Sequence, residues 1–213
     1  MWDTLDLPWQ AALEMAWEAY CAGTIPIGAV VADADGRIVA RGRNRILDKS
    51  APDGQVYGDM LAHAEINALL TLNIDQESRH HSALYTTMEP CPLCMGAFYM
   101  SSVRTLHFAA RDPYAGSVNI LGATPYLSRK PIHVIPPFDH TLETSLIAMT
   151  VETEITLRGE AVITSRFFDE WRAMSPKAVE FGISLYRSKE LRKIQKEGLS
   201  ASNAVNWLTF QVQ

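Results

Sequence analysis

A chain of 213 residues, 47% hydrophobic and 20% charged, has the size of one globular domain or of a domain with an appendage, and it can bury a full core without disulfides or a structural metal. Its 19 basic and 24 acidic side chains leave a net charge of −5, which argues against wholesale electrostatic binding to nucleic acid and leaves only a local basic patch to be sought. Three cysteines, two of them three positions apart, make no disulfide framework; no apolar run reaches the ~18–20 residues of a membrane span, and the start MWDTLDLPWQ is acidic where a leader would be basic, so a soluble cytoplasmic protein is expected.

The first periodic segment follows Pro8. Trp9, Ala12, Leu13, Ala16, Trp17 and Tyr20 recur at three- and four-residue steps up to Gly23 and predict an amphipathic helix, with Cys21 read as a small buried residue. IPIGAVVAD and RIVARGRNR, separated by Asp35-Gly36, predict a β-hairpin. In its second run Arg37, Arg41, Arg43 and Arg45 share one parity and would project from one face, as a solvated edge or as a patch for phosphate or an RNA backbone.

Residues 48–60 read as a loop. AHAEINALLTL has helical spacing and puts His63 and Glu65 at the first turn, with His80-His81 in the loop before a strand at 83–87. MEPCPLCMGAFYMSS turns into a helix near Pro92; RTLHFAA (104–110) and PIHVI (131–135) are further strands. The alternation predicts a three-layer α/β/α sandwich around a mixed, mostly parallel five-stranded sheet. Pro136-Pro137 closes the last strand and a helix begins near Leu142. Everything after 150 reads as helix, at Val162–Met174, Pro176–Lys196 and Ala204–Phe210, with Trp171, Tyr186 and Trp207 at core positions. The expected organisation is therefore a catalytic unit over 1–150 and a helical extension over 151–213, with Gly159 able to end the helix between them.

Chemistry concentrates in His63-Ala64-Glu65 and Pro90-Cys91-Pro92-Leu93-Cys94. One imidazole and two thiolates make a three-ligand zinc set whose fourth tetrahedral position stays open for water, the arrangement of a catalytic site. Both motifs sit where a helix begins, which favours the thiolate forms of Cys91 and Cys94. Glu65, two residues after His63, can face the metal-bound water and carry its proton to a substrate ring nitrogen. A redox Cys pair would leave His63 and Glu65 idle. A purely structural zinc would need a fourth ligand from Cys21, His80, His81, His107, His133 or His140, none placed by spacing to supply it.

These residues match the H-x-E and P-C-x-x-C pattern of zinc nucleobase deaminases. Over roughly residues 8–150 the chain resembles the cytidine deaminase superfamily, and within it the branch of bacterial guanine deaminases and tRNA adenosine deaminases. The resemblance implies zinc ligands His63, Cys91 and Cys94, one Zn²⁺ per chain, proton shuttle Glu65, and substrate contacts at Asn44 (in GRNR), Ala64 and Asp112 (in FAARDPYAG). It implies hydrolytic release of ammonia from a base or nucleoside, purine favoured over cytosine because GAFYM resembles the guanine deaminase version, and a homodimer. Residues 1–150 carry 10 basic and 16 acidic side chains, net −6, so a free base or nucleoside is preferred to tRNA. A tRNA adenosine deaminase and a non-catalytic zinc scaffold are the alternatives, the latter disfavoured by the intact Glu65.

Overall fold

In the computed structural model, which describes residues 1–212, helix α1 (Leu7–Cys21) starts at Asp6, whose carboxylate accepts the Trp9 N–H at 3.3 Å, with Pro8 in the first turn where its missing N–H costs nothing. Its six predicted apolar positions are all buried. Cys21 is not: it is the last residue of α1, a step around the helix from Tyr20, and it is exposed, correcting the expectation of a core thiol.

Strands β1 (Gly28–Ala32) and β2 (Ile38–Arg43) form the predicted antiparallel hairpin. Helices α2 (Ala64–Leu70) and α3 (Gln76–His80) lead to β3 (Ala83–Thr86), and α4 (Pro92–Met100) leads to β4 (Thr105–Phe108) and β5 (His133–Ile135). The sheet order is β2-β1-β3-β4-β5. The β3/β4 and β4/β5 pairings are parallel, and β1 alone opposes its neighbours, so four of the five strands share a direction. Between β4 and β5 the connection holds only a short 3-10 turn and no α-helix. His80 ends α3 rather than sitting in a loop, because Asp75 caps that helix through the Ser78 N–H at 2.9 Å.

Helices cover both faces. Val30 packs with α1, while Ala29 and Val31, which alternate with it, pack with Ala64 and Ala68 of α2 and Met95 and Phe98 of α4. Two glycines set the spacing. A Cβ on Gly28 would lie 2.2 Å from the Ala12 carbonyl oxygen, and one on Gly42 2.3 Å from Ala64 O and Ala68 N, so each helix backbone rests directly on the strand.

Residue 150 lies inside α5 (His140–Arg158), which ends at Gly159 with φ +82°. Every residue of α5 from Leu142 to Ile155 is buried, and its Thr144, Ser145, Thr150 and Thr153 hydroxyls bond back to carbonyls one turn earlier. Helices α6 (Arg166–Met174), α7 (Pro176–Ser188), α8 (Glu190–Lys196) and α9 (Ala201–Val212) pack around it. The expected single helix Pro176–Lys196 is broken at Lys189, which adopts the left-handed φ of +58°. Gly182 lets α7 approach α5, since a Cβ there would meet Val151 at 2.5 Å. α9 also reaches the first residues: Asn206 Oδ1 accepts the Trp2 N–H at 2.9 Å, and Trp17 Nε1 donates to Leu199 O, also at 2.9 Å. Trp171 is fully buried and Tyr186 and Trp207 are half-buried against the same core. Among the described residues no helix is long and apolar enough to cross a membrane.

Candidate metal centre

The site lies beyond the carboxyl ends of β3 and β4. After β3 the chain passes Thr87, Met88 and Glu89 to Cys91, the N-cap of α4 with extended φ/ψ (−70°, 173°); Pro92 opens the helix and the Cys91 carbonyl takes its first bond, from Met95 N at 2.9 Å. Cys94, one turn on, then presents its sulfur on the same side as Cys91. His63 is the N-cap of α2, placed by the Gly42 contact.

His63 Nδ1 lies 3.5 Å from Cys91 Sγ and 3.4 Å from Cys94 Sγ. An ion bound tetrahedrally at ordinary Zn–N and Zn–S lengths would hold such donors about 3.6 Å apart, so the three groups fit zinc. Among the described residues no fourth His, Cys, Asp or Glu donor joins this group within 4.8 Å, so none of the fourth ligands considered for a structural zinc stands with the other three. Cys91 is pushed down to about 4, first by the Cys94 thiol donating to it and then, against burial, by His63. Cys94 moves the other way, as the donor of that bond and as a buried group. The thiolate therefore forms first on Cys91.

Glu65, 3% exposed, sits beside the three donors. Its Oε1 accepts from Thr86 Oγ1 at 3.1 Å and its Oε2 lies 3.3 Å from Cys94 Sγ. Burial raises its carboxyl above the ordinary Glu value.

Asn44, also 3% exposed, follows β2; its Oδ1 accepts from Thr24 Oγ1 at 2.7 Å and Ile46 N at 3.2 Å, and its Nδ2 has no partner among the described residues. The next residue, Arg45, donates its N–H to Ala62 O at 2.8 Å, which holds Asn44 near His63. Ala64 is the first residue of α2, so its N–H has no intrahelical acceptor. Asp112 is committed in part to its own loop, Oδ1 accepting from Tyr114 N at 2.9 Å and Ala115 N at 3.1 Å, and burial raises its carboxyl.

Sequence reasoning passed over Glu89. Its carboxylate accepts the backbone N–H groups of Asp112 and Val118 at 3.3 and 3.4 Å, folding the 112–118 loop beside the metal donors. Nothing local marks that role; its position in the MEPC run is the single clue. Thr86 and Thr24, which orient Glu65 and Asn44, were likewise invisible.

The arginine face is neither a bare edge nor an open cationic patch. Arg37 pairs with Asp35 at 2.6 Å and Arg41 with Glu14 at 3.2 Å, while Arg43 and Arg45 converge on Asp48 at 2.6 and 2.8 Å. His81 is exposed and His80 half-buried, both against Glu77.

Residues 5–110 match the family model for the cytidine and deoxycytidylate deaminase zinc-binding region. The tRNA-specific adenosine deaminases of Haemophilus influenzae and Rickettsia bellii are 38% and 30% identical over half of this chain and over 58% and 70% of theirs. A tRNA(Ile)-lysidine synthase of Deinococcus radiodurans is 37% identical over 54% of this chain, which spans only 19% of that protein. Among solved structures, one from a study of A-to-I editing by tRNA:A34 deaminases superposes with a TM-score of 0.54 at 27% identity, covering 65% of this chain and 97% of that one. Another, solved with 2,6-diaminopurine, gives 0.54 at 26% identity over 70% and 82%.

Proposed function

This chain belongs to the cytidine deaminase superfamily, and from that premise we propose that it is a zinc-dependent hydrolase that deaminates a free nucleobase or nucleoside, a purine in preference to cytosine. The observation that carries the reading is the convergence of His63, Cys91 and Cys94 at zinc-compatible distances with the Glu65 carboxylate beside them and no fourth donor among the described residues. His63, Cys91 and Cys94 would hold the zinc, which would supply a Lewis acid able to lower the pKa of a water to about 7.

Glu65 does the proton work. Thr86 pins Oε1 and leaves Oε2 beside the metal donors, 3.3 Å from Cys94 Sγ, and a carboxyl raised by burial is suited both to take a proton from water and to give it to a ring nitrogen. The Asn44 Nδ2 donor, with its Oδ1 fixed by Thr24, orients an acceptor on the base, and the Ala64 N–H offers a second donor. Asp112, through the turn it builds, shapes the wall opposite. The amino-bearing carbon gains oxygen from water and loses its nitrogen as ammonia. Residues 1–150 serve as the deaminase unit and 151–213 as a helical extension that braces it. Met60, Leu61 and Tyr57, exposed in the loop that enters His63, fit a second copy of the chain and hence a homodimer.

The small-molecule substrate is preferred because all four arginines of the basic face are already paired with carboxylates. A second reading, an adenosine in tRNA, draws on the names of the Haemophilus and Rickettsia relatives. The test is ammonia release from adenine, guanine, cytosine, their nucleosides and a tRNA anticodon hairpin. Release from a free base or nucleoside, lost to a chelator and restored by zinc, is the expected result. Release from the hairpin alone would favour the second reading, and none from any substrate would overturn both.

A further inference from the structure

The parallel strands β3, β4 and β5 begin at the edge of the sheet opposite the metal donors, and that edge holds a recess of its own. His80, His81, Arg104, Thr105, Pro131 and His133 line a cavity of about 600 Å³ there, without an acidic side chain in its wall. Two of its nitrogens are anomalous. Arg104 Nη1 and His80 Nε2 are buried and, among the described residues, have no hydrogen-bond partner. A buried polar nitrogen without a partner is costly, more so when it is charged, and two of them on residues that line one recess call for a ligand, an ion or water.

The character of the recess is cationic. The Lys130 amine, next to Pro131, is held below the ordinary lysine value by burial and then by the charge of Arg104, and it is spent on the Tyr99 carbonyl. Glu77 is the nearby carboxylate; it borders the rim, 3.1 Å from His81 Nε2 and 3.6 Å from His80 Nδ1, and is itself largely exposed. A metal does not fit, because these histidines do not converge: among the described residues only His63, Cys91 and Cys94 bring three donors within 4.8 Å. An anion does fit, since a guanidinium fork and imidazole nitrogens match the oxygens of a tetrahedral oxyanion. The volume is in the range of small-molecule sites and exceeds what a bare ion would fill.

We propose that this recess is a second ligand site, remote from the zinc, that binds the phosphate monoester of a small molecule through Arg104, His80 and His133. Nothing in it depends on the deaminase reading. Titration calorimetry of the zinc-loaded full chain at low ionic strength, with inorganic phosphate and adenosine 5′-monophosphate as probes, tests it. Saturable binding of both is expected, tighter for the nucleotide, and weakened about tenfold or more by Arg104→Gln, the scale of one lost charge-assisted contact. Because Arg104 is partly buried, His133→Gln, at an exposed position, provides a second variant that should weaken binding in the same direction with zinc content unchanged. The proposal is overturned by the absence of saturable binding of either probe, by affinities that neither variant changes, or by binding of an unphosphorylated single-stranded RNA when both small probes fail.

Discussion

The guanidinium of Arg111 lies bidentate on the carboxylate of Glu143, Nε to Oε1 at 2.7 Å and Nη2 to Oε2 at 2.9 Å, and the Arg111 backbone N–H adds a third bond to Oε1 at 3.1 Å. Arg111 opens the loop that Glu89 folds beside the metal donors, and Glu143 stands in the first turn of α5. The same loop is touched again by the helical extension, where the Tyr114 ring meets Phe167 edge-on at 5.1 Å. One wall of the site is thus held by the long buried helix and by the helix that follows it.

The pair should make stability acid-sensitive. Burial alone would raise the Glu143 carboxyl, but the Arg111 donors and charge together hold it below the ordinary carboxylate value. A group depressed in the folded state contributes fully above its unfolded pKa of about 4.3 and loses that contribution as the pH falls through the folded value. Glu143→Gln should therefore cost about 1.5–3 kcal/mol at pH 7, the range for hydrogen bonds to a charged group. Urea titrations from pH 7 to 3 should show the gap between wild type and variant closing below about pH 5. A gap that stays constant would mean the ion pair contributes nothing.

Phe167→Ala tests whether the extension acts on the reaction. The variant loses ring contacts to Phe168 and Trp171 within the extension and, on the loop, the Tyr114 contact; an aromatic pair of about 0.5–1.5 kcal/mol lost there should lower kcat/KM by roughly 3- to 10-fold on the best substrate of the ammonia assay. Zinc content should be unchanged, since Phe167 packs on Tyr114 of the loop and is not one of the three donors. A change in melting temperature with no kinetic effect would confine the residue to packing.

Each half of the metal motif was legible because it is local. Pro92 at a helix start with sulfurs three residues apart marks one half and His63-Ala64-Glu65 at a second helix start marks the other; the two are joined across 28 positions only by the family pattern, while the hairpin and the face of α1 follow from period and turn chemistry. What stayed hidden joins distant residues. Glu65 meets Thr86, Asn44 meets Thr24 and Arg111 meets Glu143 across 20 to 32 positions, and no periodicity encodes such pairings. The four arginines were placed on one face by parity, but the pairing of Arg43 and Arg45 depends on how the 44–62 loop folds Asp48 back onto β2, and that of Arg41 on Glu14 of the distant α1. The break at Lys189 escaped because the left-handed position carries no glycine.

Gly42→Ala should damage the site from behind. The added Cβ would meet the α2 backbone at 2.3 Å, where no side chain can yield, so α2 must move off β2 and carry His63 and Glu65 with it. A loss of about 1–3 kcal/mol or more is expected from such overpacking, together with weaker zinc retention on dialysis and lower turnover. Gly96→Ala is the control: nothing lies within 4 Å of its Cβ, so in the middle of α4 it should be neutral or stabilising by about 0.5–1 kcal/mol. Equal zinc loss in both variants would detach the effect from the α2 contact.

Glu65→Gln separates proton transfer from metal binding. The amide keeps the volume and can still receive the Thr86 hydroxyl bond, but it cannot cycle a proton, so turnover should fall by about 10²- to 10⁴-fold. Zinc should remain near one per chain, because Glu65 is outside the three-donor group. Thr86→Val removes the bond to Oε1 and leaves the carboxylate in place, so a smaller drop is expected, below that of Glu65→Gln and again with zinc retained. Metal analysis alongside steady-state kinetics distinguishes the outcomes. If Glu65→Gln loses zinc in step with activity, the carboxylate is holding the metal centre together rather than carrying its proton.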